Sequence, residues 1–469
     1  MNRVKFISIT LLLSASIIMF GNSCCRQSEA IETVAGNPIS ELTGQALADP
    51  HLIAHGGKVY LFASHDFSIQ SKSYDMRDWW VWSSDDLLHW NQESVLTPDE
   101  TFMKEPSTMC WATFGVPMDG GWRLYFSAGP TQIGVVTAQT PAGPWIDPLG
   151  KPLIAEGEYS TDSRDPDILL DDDGSAYIVF GTFNYFIARL SKDGLSLDEE
   201  ARPVTVIDPV GPYGKGKTDD KPSLHKHGGL YYLSWSGFYA VSENVYGPYE
   251  YRGTVLSAES VAPEFRPDRA DLLFDRHGNF FEFNGQWYYA ANDFKQPGRS
   301  PYYRDVVMGY VHFKDNGDMA PVRIDRTGVG QYDAIGEIEA EDWFKSEGAS
   351  NAENPWGGFD LKLDSGGQAA YPNIHNVPAD ACLSLSISNN QDGAALEFRE
   401  GTPDGPVLGT LNLGESNNAG HYQTHRVALS NHPGTLNLWI VAKGDDSGVC
   451  RIDSFRFEPS CGPSAKTPQ

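Results

Sequence analysis

Residues 46–66, ALADPHLIAHGGKVYLFASHD, read as a strand, a tight turn at Gly56-Gly57 and a second strand through Val59-Tyr60-Leu61-Phe62. Asp49 stands eight residues before Gly57. Both features recur. The turn and its aromatic-rich strand return as DGGWRLYFSAG around Gly121, DDGSAYIVFGT around Gly174, HGGLYYLSWSG around Gly229 and FNGQWYYAAND around Gly285. Successive turn glycines are 64, 53, 55 and 56 residues apart. A period near 50 marks a solenoid, a propeller or an array. Strand-rich copies with almost no helical periodicity select the propeller, and five copies predict five blades of about four strands each.

The 469 residues leave room for one propeller and a smaller domain. Aromatics at 12% and 47 glycines suit an all-β chain rich in tight turns. A formal net charge of −27 excludes nucleic-acid partners, because nothing would neutralise the phosphates. Arg3 and Lys5 precede an apolar run, Ile7 to Phe20, of signal-peptide length. Gly21-Asn22-Ser23-Cys24 then resembles a bacterial lipoprotein signal, with Cys24 as the acylated residue. The expected location is therefore outside the cytoplasm, in the periplasm or tethered to the outer membrane, with plain secretion as the alternative. Cys110 reads as a buried small hydrophobe, while Cys382, Cys450 and Cys461 allow one disulfide of unspecified pairing.

The expected organisation is a signal over 1–25, a linker over 26–40, a propeller over 41–328, a β-sandwich (jelly-roll) over 336–460 and a tail over 461–469. The second domain begins at Ile338-Glu339-Ala340-Glu341. It continues through short alternating strands such as CLSLSIS, AALEFRE and LNLWIVAK.

In a propeller the first strand of each blade lines the central channel, so residues at one offset converge. Asp165 and Asp220 stand nine residues before their turn glycines, and His277 eight before Gly285. Ala112 and Thr113 occupy that offset in blade II, beside Trp111. Clustered like charges are costly and shift one another's pKa values, so the arrangement needs a chemical reason. Glycoside hydrolysis supplies one: one carboxylic acid protonates the leaving oxygen while a carboxylate acts from the opposite side. The bland alternative is turn acids or calcium ligands. That alternative does account for Asp171, Asp172 and Asp173, which form an ordinary β-turn.

The set ADPHLIAHGGKVYLFASHD, DPDILLDDDGSAYIVFG, DKPSLHKHGGLYYLSWS and RHGNFFEFNGQWYY resembles glycoside hydrolase family 43 over residues 45–323. The resemblance implies an inverting five-bladed propeller enzyme. It makes Asp49 the general base and Asp165 the residue that tunes and orients the acid. It also places His277 at the channel centre beside a structural calcium ion or water, with no organic cofactor. The acid position holds Asp220 where the family usually has Glu, a carboxyl about one bond length shorter. Three readings stay open: Asp220 is the acid; Glu105, Asp219 or Glu264 serves instead; or the protein binds sugar without cleaving it. Trp111 is the first candidate for stacking a sugar ring, followed by Phe67, Trp235 and Phe238, each of which could equally be blade packing. Arg304 could bond sugar hydroxyls or form a salt bridge.

The IEAEDW start, HYQTHRVALSNHPGTLNLWIV and RIDSFRF resemble a family 6 carbohydrate-binding module over residues 336–459. That resemblance implies a calcium site on Glu339, Glu341 and Asp453. Tyr422 falls where a ligand-binding Trp is common, Gln368 where another aromatic sits, and Trp356 could compensate; sugar binding and buttressing both remain open. The expected activity is removal of a pentose, α-L-arabinofuranosyl first, from plant polysaccharide or its fragments. A β-xylosidase, a β-galactofuranosidase and a non-catalytic sugar binder are the alternatives.

Overall fold

The computed structural model describes residues 31–266, 273, 275–294, 300–388, 392–414, 421–430, 434–445 and 449–462. The signal segment with Cys24, the first residues of the expected linker and nearly all of the tail lie outside the described residues.

The five repeats fold as five antiparallel blades. Their inner strands are Leu47–His55, Cys110–Met118, Asp167–Leu170, Ser223–His227 and Gly278–Phe283. Each inner strand packs beside the next, and the fifth returns to the first, so the ring is closed. Described strands per blade number four, three, four, five and three. The fifth strand of blade IV, Val206–Ile207, comes from the preceding connection and pairs in parallel with Tyr249–Thr254. Five hydrophobic cores hold the ring, one between each pair of neighbouring blades, because every blade has two faces to bury. The middle strand of blade II, Gly121–Ala128, is buried along its whole length for this reason.

The turns confirm the repeat and correct its register in one place. Gly57, Gly174, Gly229 and Gly285 all lie at φ 81–83°, where a side chain would be strained. In blade II the turn residue is Gly120 (φ 72°), and Gly121 already belongs to the strand. This shift puts Trp111 nine residues before its turn, the offset of Asp165 and Asp220.

The stretch expected to be a linker is partly structural. Val34, Asn37 and Ile39 are buried, and the Ile39 amide donates to Val306 O on the third strand of blade V. The Asn37 side chain donates to Met308 O and Asp325 O, both at 2.8 Å, and accepts from the Met308 amide. The N-terminal segment thus pins the last blade.

The second domain is a β-sandwich with a single core. Its longest strand, Phe359–Val377, is shared by several neighbours. Cys382 pairs with Cys461, while Cys110 and Cys450 are buried free thiols. The sandwich is docked on the propeller rather than tethered to it. Gln286 Nε2 donates to Glu341 O (2.8 Å), the Tyr310 hydroxyl of the propeller lies 3.1 Å from the Tyr332 hydroxyl, and His312 Nε2 lies 2.8 Å from Asp342 Oδ1. Phe344 closes the seam by packing on Phe283.

Candidate active site

The blade openings have a shared backbone device. Asp49, Asp165 and Lys221 each precede a proline and sit at φ 50°, 56° and 47°. Left-handed backbone at non-glycine residues is uncommon, and such strain concentrates at functional sites. Backbone geometry therefore makes Lys221, not Asp220, the blade IV counterpart of Asp49 and Asp165. Lys221 is buried, and its ammonium reaches Pro50 O at 3.3 Å. Asp220, one residue earlier, projects to the other side of the chain and opens to the cleft with its side chain 24% exposed.

Asp49, Asp165, Asp220, His277, Trp111 and Arg304 converge on one cleft, together with Tyr74, Met76, Arg164 and Asp275. Asp49 is buried and held by four donors. Its Oδ1 lies 3.0 Å from His277 Nδ1, from Arg304 Nη1 and from Asn292 Nδ2, and its Oδ2 accepts from the Ser64 hydroxyl at 3.2 Å. Burial alone would raise its pKa, but the Arg304 charge and the His277 hydrogen bond outweigh this and keep the carboxyl well below the usual range. Asp49 is thus a fixed anion.

The other carboxyls behave differently. Burial pushes Asp165 up to about 6; Asp220 and Asp49 push the same way, against Arg164 and His277. Asp275, which accepts from the Tyr74 hydroxyl at 2.9 Å, is raised by burial to about 7. Asp220 is also desolvated, yet the His277 and Arg164 charges draw it below its ordinary value. Its Oδ2 accepts from Arg164 Nη2 at 3.0 Å. Its Oδ1 sits 2.6 Å from His277 Nε2, too oblique for a hydrogen bond, so the contact is ionic. Burial opposes charge on His277, but Asp220 and Asp275 overcome it and favour imidazolium. One imidazole ring therefore separates the fixed anion Asp49 from Asp220.

His277 Nε2 is buried without a hydrogen-bond partner, and it faces the Asp219 and Asp220 carboxylates, all three ligand atoms lying within 4.8 Å of one another. These three residues would hold a divalent cation only with His277 neutral, and the Asp220 and Asp275 charges that favour imidazolium oppose it. In the sandwich the predicted trio Glu339, Glu341 and Asp453 is divided. Arg323 of the propeller lies 3.6 Å from Glu339 and 3.3 Å from Glu341, whereas Asp453 accepts from Asn354 at 3.4 Å. Among the described residues the ligand atoms that converge there belong to His312, Glu341 and Asp342, and Glu341 Oε2 is buried without a partner.

Four predicted sugar contacts are corrected. Trp235 and Phe238 are 1% and 5% exposed and fill the core between blades III and IV. The Trp235 indole donates to Val210 O at 3.0 Å. Their offset reads as channel-facing only if the second and third strands line the channel, and those strands stand behind the inner one. Trp235→Ala is expected to lower stability by about 3–5 kcal/mol, read from denaturant unfolding, with no selective rise in KM. Phe67 is exposed outside the cleft, with the Arg77 guanidinium 3.5 Å over its ring. Arg304 lines the cleft, but its guanidinium is spent on Asp66 and Asp49, so it is a salt bridge and not a free sugar contact. Glu105 and Glu264 are exposed and lie outside the cleft lining, and Asp219 bonds the Ser236 hydroxyl.

Arg164, Asp275 and Tyr74 escaped the sequence reading. Arg164 adjoins Asp165, and Asp275 precedes His277 by two, a same-face spacing that could have found it. Tyr74 enters from a loop of blade I that has no counterpart in the repeat.

The glycosyl hydrolases family 43 model matches residues 35–319, and the family 6 carbohydrate-binding module matches residues 339–459. The chain belongs to glycosyl hydrolase family 43. This family 43 glycosidase is 24% identical over 534 residues to an arabinoxylan arabinofuranohydrolase of Paenibacillus polymyxa, covering 98% of this chain and 80% of that one. It is 27% identical to a xylosidase/arabinosidase of Bacteroides ovatus, over 53% of this chain and 86% of the relative. Among solved structures, a Bacillus subtilis arabinoxylan arabinofuranohydrolase bound to cellotetraose superposes with a TM-score of 0.54 at 21% identity, covering 90% and 97% of the two chains. A β-xylosidase/α-arabinofuranosidase from a compost metagenome, solved with xylotriose in a calcium-free form, gives 0.51 at 25% identity over 63% and 98%.

Proposed function

We propose that this family 43 glycosidase is an exported exo-acting enzyme that removes α-L-arabinofuranosyl groups from arabinoxylan or its fragments with inversion. The observation that carries the mechanism is the fixed anion Asp49 facing Asp220 across the His277 ring. Asp49 suits a general base, because an ionised carboxylate held by Arg304 and His277 can take a proton from a water on the far side of the sugar. The imidazole, in contact with both, sets the two carboxyls a ring's width apart, in keeping with the wide spacing of inverting enzymes. Asp220, ionised at rest by the His277 and Arg164 charges, faces the open side of the cleft and is placed to pass to the leaving oxygen a proton taken from Asp165 beside it. Asp165, raised to about 6, keeps a proton within the acidic cluster, and Arg164 joins it to Asp220. Trp111 supplies a ring face for the sugar.

Relatives named arabinoxylan arabinofuranohydrolases, which align over nearly the whole chain, support the arabinosyl reading. Relatives named xylosidase/arabinosidase align over little more than half of it and support β-xylosidase action as the second reading. In the sandwich, Trp356 is 74% exposed and lies 6.5 Å from the Tyr422 ring, which supports a weak sugar-binding face beside the buttressing role. The N-terminal pattern supports export with a lipid at Cys24. Hydrolysis of nitrophenyl α-L-arabinofuranoside and β-D-xyloside, followed by NMR of the first-formed anomer, tests the proposal. The expected result is preference for the arabinoside and an inverted product; a retained anomer would overturn the mechanism, and a xyloside preference the specificity.

A further inference from the structure

Two large apolar side chains stay exposed beside the acid. Phe183 and Tyr213 are 46% and 49% exposed, and their rings meet edge to face at 5.5 Å. They come from separate insertions. Phe183 lies between the second and third strands of blade III, and Tyr213 at the tip of a small hairpin, Val210–Gly211 with Gly214–Lys215, that leads into Asp219-Asp220. Neither belongs to the lining of the cleft that takes the reacting sugar.

Both are held in place at a cost. Phe183 has φ 60°, a strained conformation for a bulky residue. Its amide donates to Asp219 O at 3.0 Å, and the Thr218 hydroxyl donates to Phe183 O at 2.8 Å. The Tyr185 hydroxyl also donates to Asp219 O at 2.8 Å. The hairpin is tied down too: the Gly216 amide donates to Pro209 O, and a side chain at Gly211 would meet the carbonyls of Lys217 and Thr218 under 3 Å. The Tyr213 phenol lies within the electrostatic reach of Asp219, Asp220, Asp275 and His277. An ordered aromatic pair left half in water and braced to the segment that carries the acid is a binding surface, not a packing remnant.

We propose that Phe183 and Tyr213 form the platform for the sugar chain on the leaving-group side, and so select a branched polysaccharide main chain over a small glycoside. The inference rests on the proposed role of Asp220. Whatever Asp220 protonates departs on its side of the cleft, and that is the side on which these rings stand. Pyranose rings of a main chain present C–H faces that stack on aromatic rings, as an isolated methyl or alkyl leaving group does not.

The test compares the full-length wild type with Phe183→Ala, Tyr213→Ala and the double variant. The substrates are methyl α-L-arabinofuranoside and a xylo-oligosaccharide carrying one arabinofuranosyl branch. The double variant is expected to lose about tenfold or more in kcat/KM on the oligosaccharide, chiefly through KM, and several times less on the methyl glycoside. Tyr213→Phe, which keeps the ring, should recover the oligosaccharide KM that Tyr213→Ala loses, and unfolding midpoints should match. Equal losses on both substrates, or none on the oligosaccharide, would overturn the platform while leaving the glycosidase reading intact. A wild type inactive on both would overturn the function reading and the platform with it.

Discussion

Asp49→Asn is expected to lower kcat on an arabinosylated xylo-oligosaccharide by about 10³–10⁴-fold, at the upper end of what one general base contributes. The size follows from how the carboxylate is held. Arg304 is buried and bidentate on Asp66 while its remaining nitrogen reaches Asp49, so the guanidinium cannot swing away. Asn292 accepts from the Asp49 amide and donates to its carboxylate, fixing the main chain and the side chain together. The Asn variant keeps this shape and loses only the negative charge and its basicity. Steady-state kinetics and an unfolding curve on the same preparation separate chemistry from folding. Activity within tenfold of wild type would remove Asp49 from the role of base.

Asp220→Ala should show a loss that depends on the leaving group. On the unactivated oligosaccharide the expected drop is about 10²–10⁴-fold. On nitrophenyl arabinofuranoside it should be far smaller, because nitrophenolate departs without needing a proton. The pH profile supplies a second reading. Asp165 at about 6 and Asp275 at about 7 place the last protons of the cluster between those values. Deprotonation removes the acid form, so wild-type kcat/KM on the oligosaccharide should fall as pH rises through about 7. Asp165→Asn removes one negative charge beside Asp220 and should move that basic limb to lower pH, whereas Asp220→Ala should flatten it. Full activity of Asp220→Ala on the unactivated substrate would pass the acid role to Asp219 or Asp275.

Much of this molecule is legible before folding is considered. Five glycine turns at near-even spacing are a local signal, since a tight turn between paired strands demands left-handed backbone wherever it occurs. Four of the five sit within 2° of one another in φ. The channel acids are equally legible, because an offset from the turn is preserved when every blade begins at the axis. Offsets also mislead by one residue when the turns they are counted from differ in length: five residues lie between the paired Leu170 and Ala176 in blade III, and two between His227 and Leu230 in blade IV. Asp220 and Lys221 illustrate this: equal counting pairs Asp220 with Asp165, while the backbone pairs Lys221 with it. The aromatic assignments of Trp235 and Phe238 failed for another reason. Aromatic content marks a strand but does not say which face it presents, and in a propeller both faces of a blade are buried.

Repetition and spacing in the chain alone determine the five blades, the sandwich that follows them and the convergence of Asp49, Asp165, Asp220 and His277, because each rests on short-range turn chemistry repeated in register. Tertiary structure alone decides which of these carboxyls stays ionised. Arg304 lies 255 residues from Asp49, and Arg164 lies 56 from Asp220. Such pairings leave no local pattern, yet their charge, set against the desolvation of a closed channel, makes Asp49 a fixed anion and leaves Asp165 and Asp275 raised to about 6 and about 7.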